Sequence, residues 1–386
     1  MADNTLDALM MKILARGVVH LRGRLNMPRL VNSDMANEAA QPGSTIDVKI
    51  PVAQTATAVA PSNTPPNPDA ATPTTVQVPL DQWYKTNFKL SDKDQKDINA
   101  QGDFLPMQTI ESIDALAVNV NRYLMSLYKP IYGYTGTAGT TPFGTPGVED
   151  ATLLRAVLNK QKCPKTMRRC VVDFDADAKM LALAAFSDAE KIASNQVKIE
   201  GEIGRKYGID WYSDDDVPTH TAGTITTGLI AKASTAQAVG DKTIVCTTAA
   251  STGACALKEG DIITFAGDEQ TYVLTADATQ ASAATDVTLA IEPGLKVALA
   301  GSEAVTVKAS HVVNLAFHPN AFAFAMRRLE DTVIGSGNLV RAIRDPLTGI
   351  VLRLEISRQY KQTMWEFDVL YGAKLVRPEL ASRLAG

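Results

Sequence analysis

The sequence is poor in the residues from which reaction centres are usually built. Only four cysteines occur in 386 residues, Cys163, Cys170, Cys246 and Cys255. None forms a CxxC pair, and their spacings do not match those of zinc ligands. They read as reduced, buried thiols. The four histidines, His20, His220, His311 and His318, are scattered. GxSxG and HExxH are absent, and no cysteine has a plausible histidine partner. No enzyme activity, metal or cofactor is therefore expected. Long apolar runs are also missing, so no helix is expected to span a membrane. Lys and Arg (38) are balanced by Asp and Glu (42), a net charge of −4 that lacks the basic footprint of tight nucleic-acid binding. Asp3 and Asp7 stand where a secretory leader would carry Lys or Arg, and Lys12 and Arg16 interrupt the apolar positions. The expectation is no leader and a cytoplasmic origin.

The chain has instead an ordinary globular composition, 45% hydrophobic and 21% charged, with room for two or three domains. Residues 5–27 carry Leu6, Leu9, Met10, Ile13 and Leu14 at helical spacing, with Pro28 as a stop. Residues 44–53 alternate as a strand, with Ile46, Val48 and Ile50 on one face. A Pro-rich stretch follows, containing Pro61, Pro65, Pro66, Pro68, Pro73 and Pro79 and almost no large apolar side chain. It cannot offset its own ordering entropy. Residues 74–90, with Trp83, Tyr84 and Phe88, read as the returning strand of a long hairpin, whose edges need covering by other chain. Residues 106–129 read as a long helix with a stripe of Ile110, Ile113, Leu116, Ala117, Val120, Leu124 and Leu127. Glu111, Asp114, Asn119, Asn121 and Arg122 lie off that stripe. At ~1.5 Å per residue it would reach roughly 35 Å, enough to act as a strut.

Helices and strands alternate from 148 to 213, which indicates an α/β or α+β unit. From Gly223 to Ser310 the composition turns to Ala, Thr, Val and Gly. Short strands are predicted at Thr243–Thr247, Asp261–Phe265, Gln270–Thr275, Asp286–Ile291 and Val305–Val307, separated by Gly turns. That pattern predicts an inserted all-β barrel or sandwich. "HVVNLAFHPNAFAFAMRRLE" reads as a strand and then a helix opened by Pro319. The last long segment reads as two strands joined near Gln359–Gln362. They would present one packed face and one solvated, charged face carrying Glu366 and Asp368.

The run "GIDWYSDDDVP" tests for chemistry directly. Adjacent side chains diverge, so Asp214, Asp215 and Asp216 do not easily share one ion. Asp favours turns, and a solvated turn is the preferred reading over a cation site or a charged contact with another chain. "GEIGRKYG", residues 201–208, lacks the order of a phosphate loop. The basic pairs Arg22/Arg24, Arg168/Arg169 and Arg327/Arg328 read chiefly as solvated surface, with phosphate or a subunit carboxylate as the other option.

The order of these elements resembles the major capsid proteins of tailed bacteriophages, which share the α+β Hong Kong 97 capsid fold. The subgroup with an inserted β-barrel is the nearest in pattern. "NMPRLVNSDMANEAAQPGSTIDVKIP", "GEIGRKYGIDWYSDDDVP", "NLAFHPNAFAFA" and "WEFDVLYGAKLVRPEL" carry the resemblance. It implies an N-terminal arm (1–43), an extended hairpin loop (44–90) and a peripheral domain with the strut helix (91–134). An axial domain (135–222, continued at 311–335), the inserted barrel (223–310) and a peripheral hairpin with the C-terminus (336–386) complete the organisation. It further implies self-assembly into pentamers and hexamers of an icosahedral shell around double-stranded DNA, in a virion put together in the bacterial cytoplasm. The implied partners are sister copies, a scaffolding protein, a portal and, weakly, the packaged DNA, with no membrane. Arg22, Arg24, Trp83, Lys85, Asp214, Asp215, Asp216 and Arg377 are then candidates for contacts between subunits. The rival readings are an encapsulin-type compartment shell, a β-rich surface binding module and a carboxylate-dependent hydrolase. The last is weakened by the lack of convergent motifs.

Overall fold

The computed structural model describes residues 13–19, 21, 25–33, 45–51, 54, 56, 58, 59, 61, 73–93, 104–144, 147–187, 203–225, 228–232, 237–248, 255–280, 286–329, 338–345 and 349–386. The chain divides into two compact units. One comprises residues 1–19, 33–113 and 323–376, and the other residues 20–32, 114–322 and 377–386. No described helix is long and apolar enough to cross a membrane.

The first unit is built on strands. Thr45–Ile50 pairs antiparallel with Thr74–Pro79, Thr45 lying opposite Pro79 and Ile50 opposite Thr74. Alternation puts Ile46, Val48 and Ile50 on one side of this ribbon. Its base is packed: Ile46 and Val78 join Leu80, Ala323, Ala325 and Val376 in a buried cluster. Burial then declines outward, and Val48, Ile50 and Val76 are only partly covered. The returning strand does not run on to residue 90 within the hairpin, as the sequence reading had it. It ends at Pro79, and a new strand, Gln82–Ser91, pairs along Gln362–Tyr371 instead. The change of partner occurs where the chain crosses Gly372. A Cβ there would collide with the Pro79 carbonyl oxygen, so the crossing requires glycine.

The sheet that receives this strand runs Phe322–Arg327, Gln362–Leu375, Val351–Gln359, Leu339–Arg344, with Gln82–Ser91 on Gln362–Leu375. The expected hairpin at Gln359–Gln362 is present. Leu352, Leu354, Phe367 and Tyr371 are buried on its packed face. There Phe88 stacks on Trp365 and Tyr84 on Tyr371, each with ring centroids 6.2 Å apart. The opposite face is charged but not simply solvated, because Asp368 is buried beneath Trp83 and Arg353. The segment after Pro319 is not a helix. A single 3-10 turn, Pro319–Ala321, leads into the strand Phe322–Arg327. Phe322, Ala323, Phe324, Ala325 and Met326 are all buried, so burial on both faces hides the period that would separate strand from helix.

The helix Phe104–Ser126 leaves the first unit at Ile113 and enters the second at Asp114. Ile113, Leu116, Ala117, Val120 and Leu124 are buried as expected. Ile110 is exposed, and Asn121, assigned to the solvent side from sequence, is buried.

The second unit holds a seven-stranded sheet and a barrel. The sheet order is Gly133–Gly136, Ala381–Ala385, His311–Phe317, Arg169–Val172, Ile209–Ser213, Arg205–Lys206, with Thr219–His220 beside the start of His311–Phe317. "GEIGRKYG" ends as a hairpin turn, Tyr207 and Gly208 having φ of +54° and +79°. The barrel closes in the order Leu229–Ala231, Thr243–Thr248, Val287–Glu292, Tyr272–Leu274, Ile262–Phe265, Ala304–Val307. It has its own core, including Ile244, Phe265, Tyr272, Leu289 and Ile291. Closure removes its strand edges.

Candidate functional site

The three aspartates do not form a solvated turn. Only Asp215 is exposed. Asp214 is 3% exposed, and the Asp216 side chain 5%. The strand Ile209–Ser213 delivers Asp214 against the buried side of the long helix, where Asn121 Nδ2 donates to both Asp214 oxygens at 2.9 and 3.1 Å. The same amide donates to Asp216 Oδ2 at 3.1 Å. Its orientation is fixed by Asn121 Oδ1, which accepts from the Met27 amide at 3.1 Å. Asn26 Nδ2 donates to Asp214 Oδ2 at 2.8 Å, and Arg122 Nε donates to Asp216 Oδ1 at 2.7 Å. The turn therefore ties the segment around Asn26 to the helix and the sheet. Its three carboxylates can bring an oxygen each within 4.8 Å of one another, the spacing of a cation site. The Asn121 amide, however, puts hydrogen donors between those oxygens, where an ion would need acceptors only.

A second cluster was not foreseen. His220 and His311, 91 positions apart, lie opposite each other in adjacent strands with ring centroids 5.5 Å apart. His220 Nε2 donates to Asp261 Oδ1 at 2.8 Å, and Tyr128 Oη and His220 Nδ1 share a hydrogen bond of 3.1 Å. Asp261 is fully buried and also accepts from the Gly223 and Lys258 amides. Arg383, equally buried, donates to the carbonyls of Gly260 and Lys129 at 2.8 and 2.7 Å and lies 5.0 Å from the Tyr128 ring centre. Burial lowers the Arg383 pKa to about 9, against the upward pull of Tyr128, Asp261 and Tyr134, so it stays cationic at neutral pH. Nothing in the spacing of these residues brings them together. The only local signal was the Lys258–Asp261 turn, whose Gly260 has φ +95°.

The remaining candidates fall in both units. Trp83 is 62% exposed, yet its Nε1 donates to Asp368 Oδ2 at 3.1 Å. Lys85 pairs with Glu366 at 3.0 Å, and Arg353 with Asp368 at 3.0 Å, a ladder of ion pairs within the sheet. Arg377 caps nothing with its side chain, but its amide donates to the Ala321 carbonyl at 3.1 Å. Arg22 and Arg24 lie outside the described residues. Arg168, read from sequence as surface, is buried and donates to the Pro164 and Cys163 carbonyls at 2.7 Å and to Asn159 Oδ1 at 2.8 Å. Arg169 donates to the Leu30 carbonyl. All four cysteines are buried and free, as expected.

No protein-family model and no curated protein matches the sequence. Solved structures match the fold. A chain from Mycobacterium phage Che8 superposes with a TM-score of 0.52 at 15% identity, covering 94% of this chain and 91% of that one. A capsid structure of the cyanophage P-SCSP1u gives 0.49 at 11% identity, over 90% and 84%. A virus-like particle from Pyrococcus furiosus gives 0.43 at 8% identity, over 97% and 98%. Over more than nine-tenths of its length, this α+β chain with its closed six-stranded barrel shares the fold of the Che8 phage chain.

Proposed function

We propose that this chain is a major capsid protein with the Hong Kong 97-type fold. Copies of it self-assemble into the icosahedral shell that encloses the double-stranded DNA of a tailed phage. The fold shared with the Che8 phage chain over 94% of this sequence carries the proposal. The chain's own physics supports it. The ribbon's apolar alternation continues past its packed base into half-covered Val48, Ile50 and Val76, an unfinished face suited to a neighbouring copy. The role is structural, and its location is the virion.

The domain organisation proposed with it is the one read from the sequence, from the arm at 1–43 to the peripheral hairpin at 336–386. Arg22, Arg24, Trp83, Lys85, Asp215 and Arg377 remain proposed contacts with sister copies. Asp214 is better assigned to holding the Asn26 segment in place, and Asp216 to its bonds with Asn121 and Arg122. A scaffolding protein and a portal complete the proposed partners. With a net charge of −4, the shell holds DNA by enclosure more than by gripping it.

Electron microscopy of the purified full chain, with nuclease-protected content measured, tests this. Closed isometric shells competent to retain double-stranded DNA are expected when scaffold and portal are co-expressed. Shells that retain a protein cargo and never DNA would favour a compartment shell instead. A chain that forms no shells under any of these conditions would overturn the proposal.

A further inference from the structure

The inserted barrel is seated on the sheet through a small junction of unusual composition. Among the described residues, the apolar part consists of Tyr134, Ile262, Val273 and Ala385, with Tyr132 alongside. The polar part is chiefly the buried cluster in which Arg383 from the sheet grips Gly260, and Asp261 at the head of a barrel strand grips His220 and Gly223, with Thr271 Oγ1 donating to the Tyr132 carbonyl at 2.7 Å beside it. The barrel's own core is much larger and separate. The seat can therefore fail while the barrel stays folded.

The charge balance of the cluster leaves no room for another cation. Asp261 and Arg383 offset each other, and both are fully buried. His220 is held between Asp261, 2.8 Å from its Nε2, and Tyr128, 3.1 Å from its Nδ1. His311 is bounded by Tyr134, whose ring lies edge-on at 5.3 Å, and by His220, with Arg383 and Asp261 beyond. Lys308 lies over the Tyr134 ring at 5.9 Å, and Lys129 and Glu259 pair with each other at the cluster's rim. His311 Nδ1 bonds the Ala309 carbonyl at 2.8 Å, while Nε2 is buried with no acceptor. A proton added to His311 thus finds no partner, and its charge faces Arg383.

We infer that His311 is an acid-release latch: its protonation unseats the barrel from the sheet without unfolding the barrel. Burial first, then Arg383 and His220, lowers the His311 pKa to about 4, against the opposing Ala309 carbonyl and Asp261. The sign follows from that depression. In the seated state His311 stays neutral, whereas an unseated, solvated His311 takes a proton near its ordinary ~6.5. The latch holds fully above that value and weakens as pH falls toward about 4. Between pH ~7.5 and ~5 the seated-to-unseated ratio falls roughly 30-fold.

Hydrogen exchange of the full chain by mass spectrometry, corrected for intrinsic pH dependence, tests this. Peptides from the junction (residues 219–223, 258–261 and 309–313) are compared with the barrel wall (287–292). Junction protection is expected to fall roughly 30-fold between pH ~7.5 and ~5, with the wall unchanged, and His311→Gln is expected to abolish that response. An equal fall in His311→Gln, an equal loosening of the wall, or no fall in the wild type would overturn the latch. Should His311→Gln not fold, a carbon-13 NMR titration of the wild-type histidines decides. A His311 midpoint near 4 sustains the inference, and one near 6.5 refutes it.

Discussion

At the scale of residues, Asp214 matters more than its two neighbours. It accepts from Asn26 and from Asn121, and no water can replace those donors at a site 3% exposed. Asp214→Ala removes the acceptor that both amides share, leaving Asn121 only Asp216 and Asn26 only the Ser213 carbonyl, and should cost about 2 kcal/mol, read as a lower denaturant midpoint at constant m. Asp215→Asn, on an exposed side chain, should stay within about 0.5 kcal/mol. The sequence could not separate these two. Three adjacent aspartates look alike until the distant Asn121 takes up Asp214 and Asp216 and leaves Asp215 exposed. The same is true of Asn121, which helical spacing alone assigns to the wet side. His318 offers a further test at this scale. Burial, then the charges of Arg169, Arg168 and Arg377, holds its pKa below the ordinary value. Its neutral form supports the fold above about 6.5, and that support is lost as pH falls. Arg377→Gln should raise the His318 midpoint in an NMR titration, and an unmoved midpoint would contradict the assigned cause.

At the scale of elements, the barrel was the most legible part. Its strands alternate, and turns at Gly240, Gly260 and Gly267, all with positive φ, punctuate them. Each predicted strand reappears within two residues of its expected bounds, and closure adds Leu229–Ala231. The ribbon was legible at its base and misread at its return. Nothing local marks where Thr74–Pro79 gives way to Gln82–Ser91, because the change is set by the distant Gly372. Gly372→Ala should therefore destabilise the chain by about 2 kcal/mol or more, since backbone at Pro79 and Leu80 must move. Wild-type stability in this variant would contradict the close approach. The strand Phe322–Arg327 was misread for a different reason. Two buried faces remove the alternation on which the prediction depended.

At the scale of the whole molecule, the account rests on association. The barrel is closed, and the second unit's sheet ends in the short strands Gly133–Gly136 and Arg205–Lys206. The longer margins belong to the first unit, in the ribbon and in Gln82–Ser91. Weak contacts at such margins, repeated by every copy, add through effective concentration to a stable shell whose errors can still reverse. Removing residues 1–25 should block shell formation and also lower the thermal midpoint of the unassembled chain, because Leu14, Val18, Leu21 and Leu25 are buried within the chain itself. Sedimentation velocity of the purified full chain across a wide concentration range tests the central claim most directly. The account predicts large, discrete particles in equilibrium with small assemblies. A single 41.3 kDa species at every concentration would contradict it.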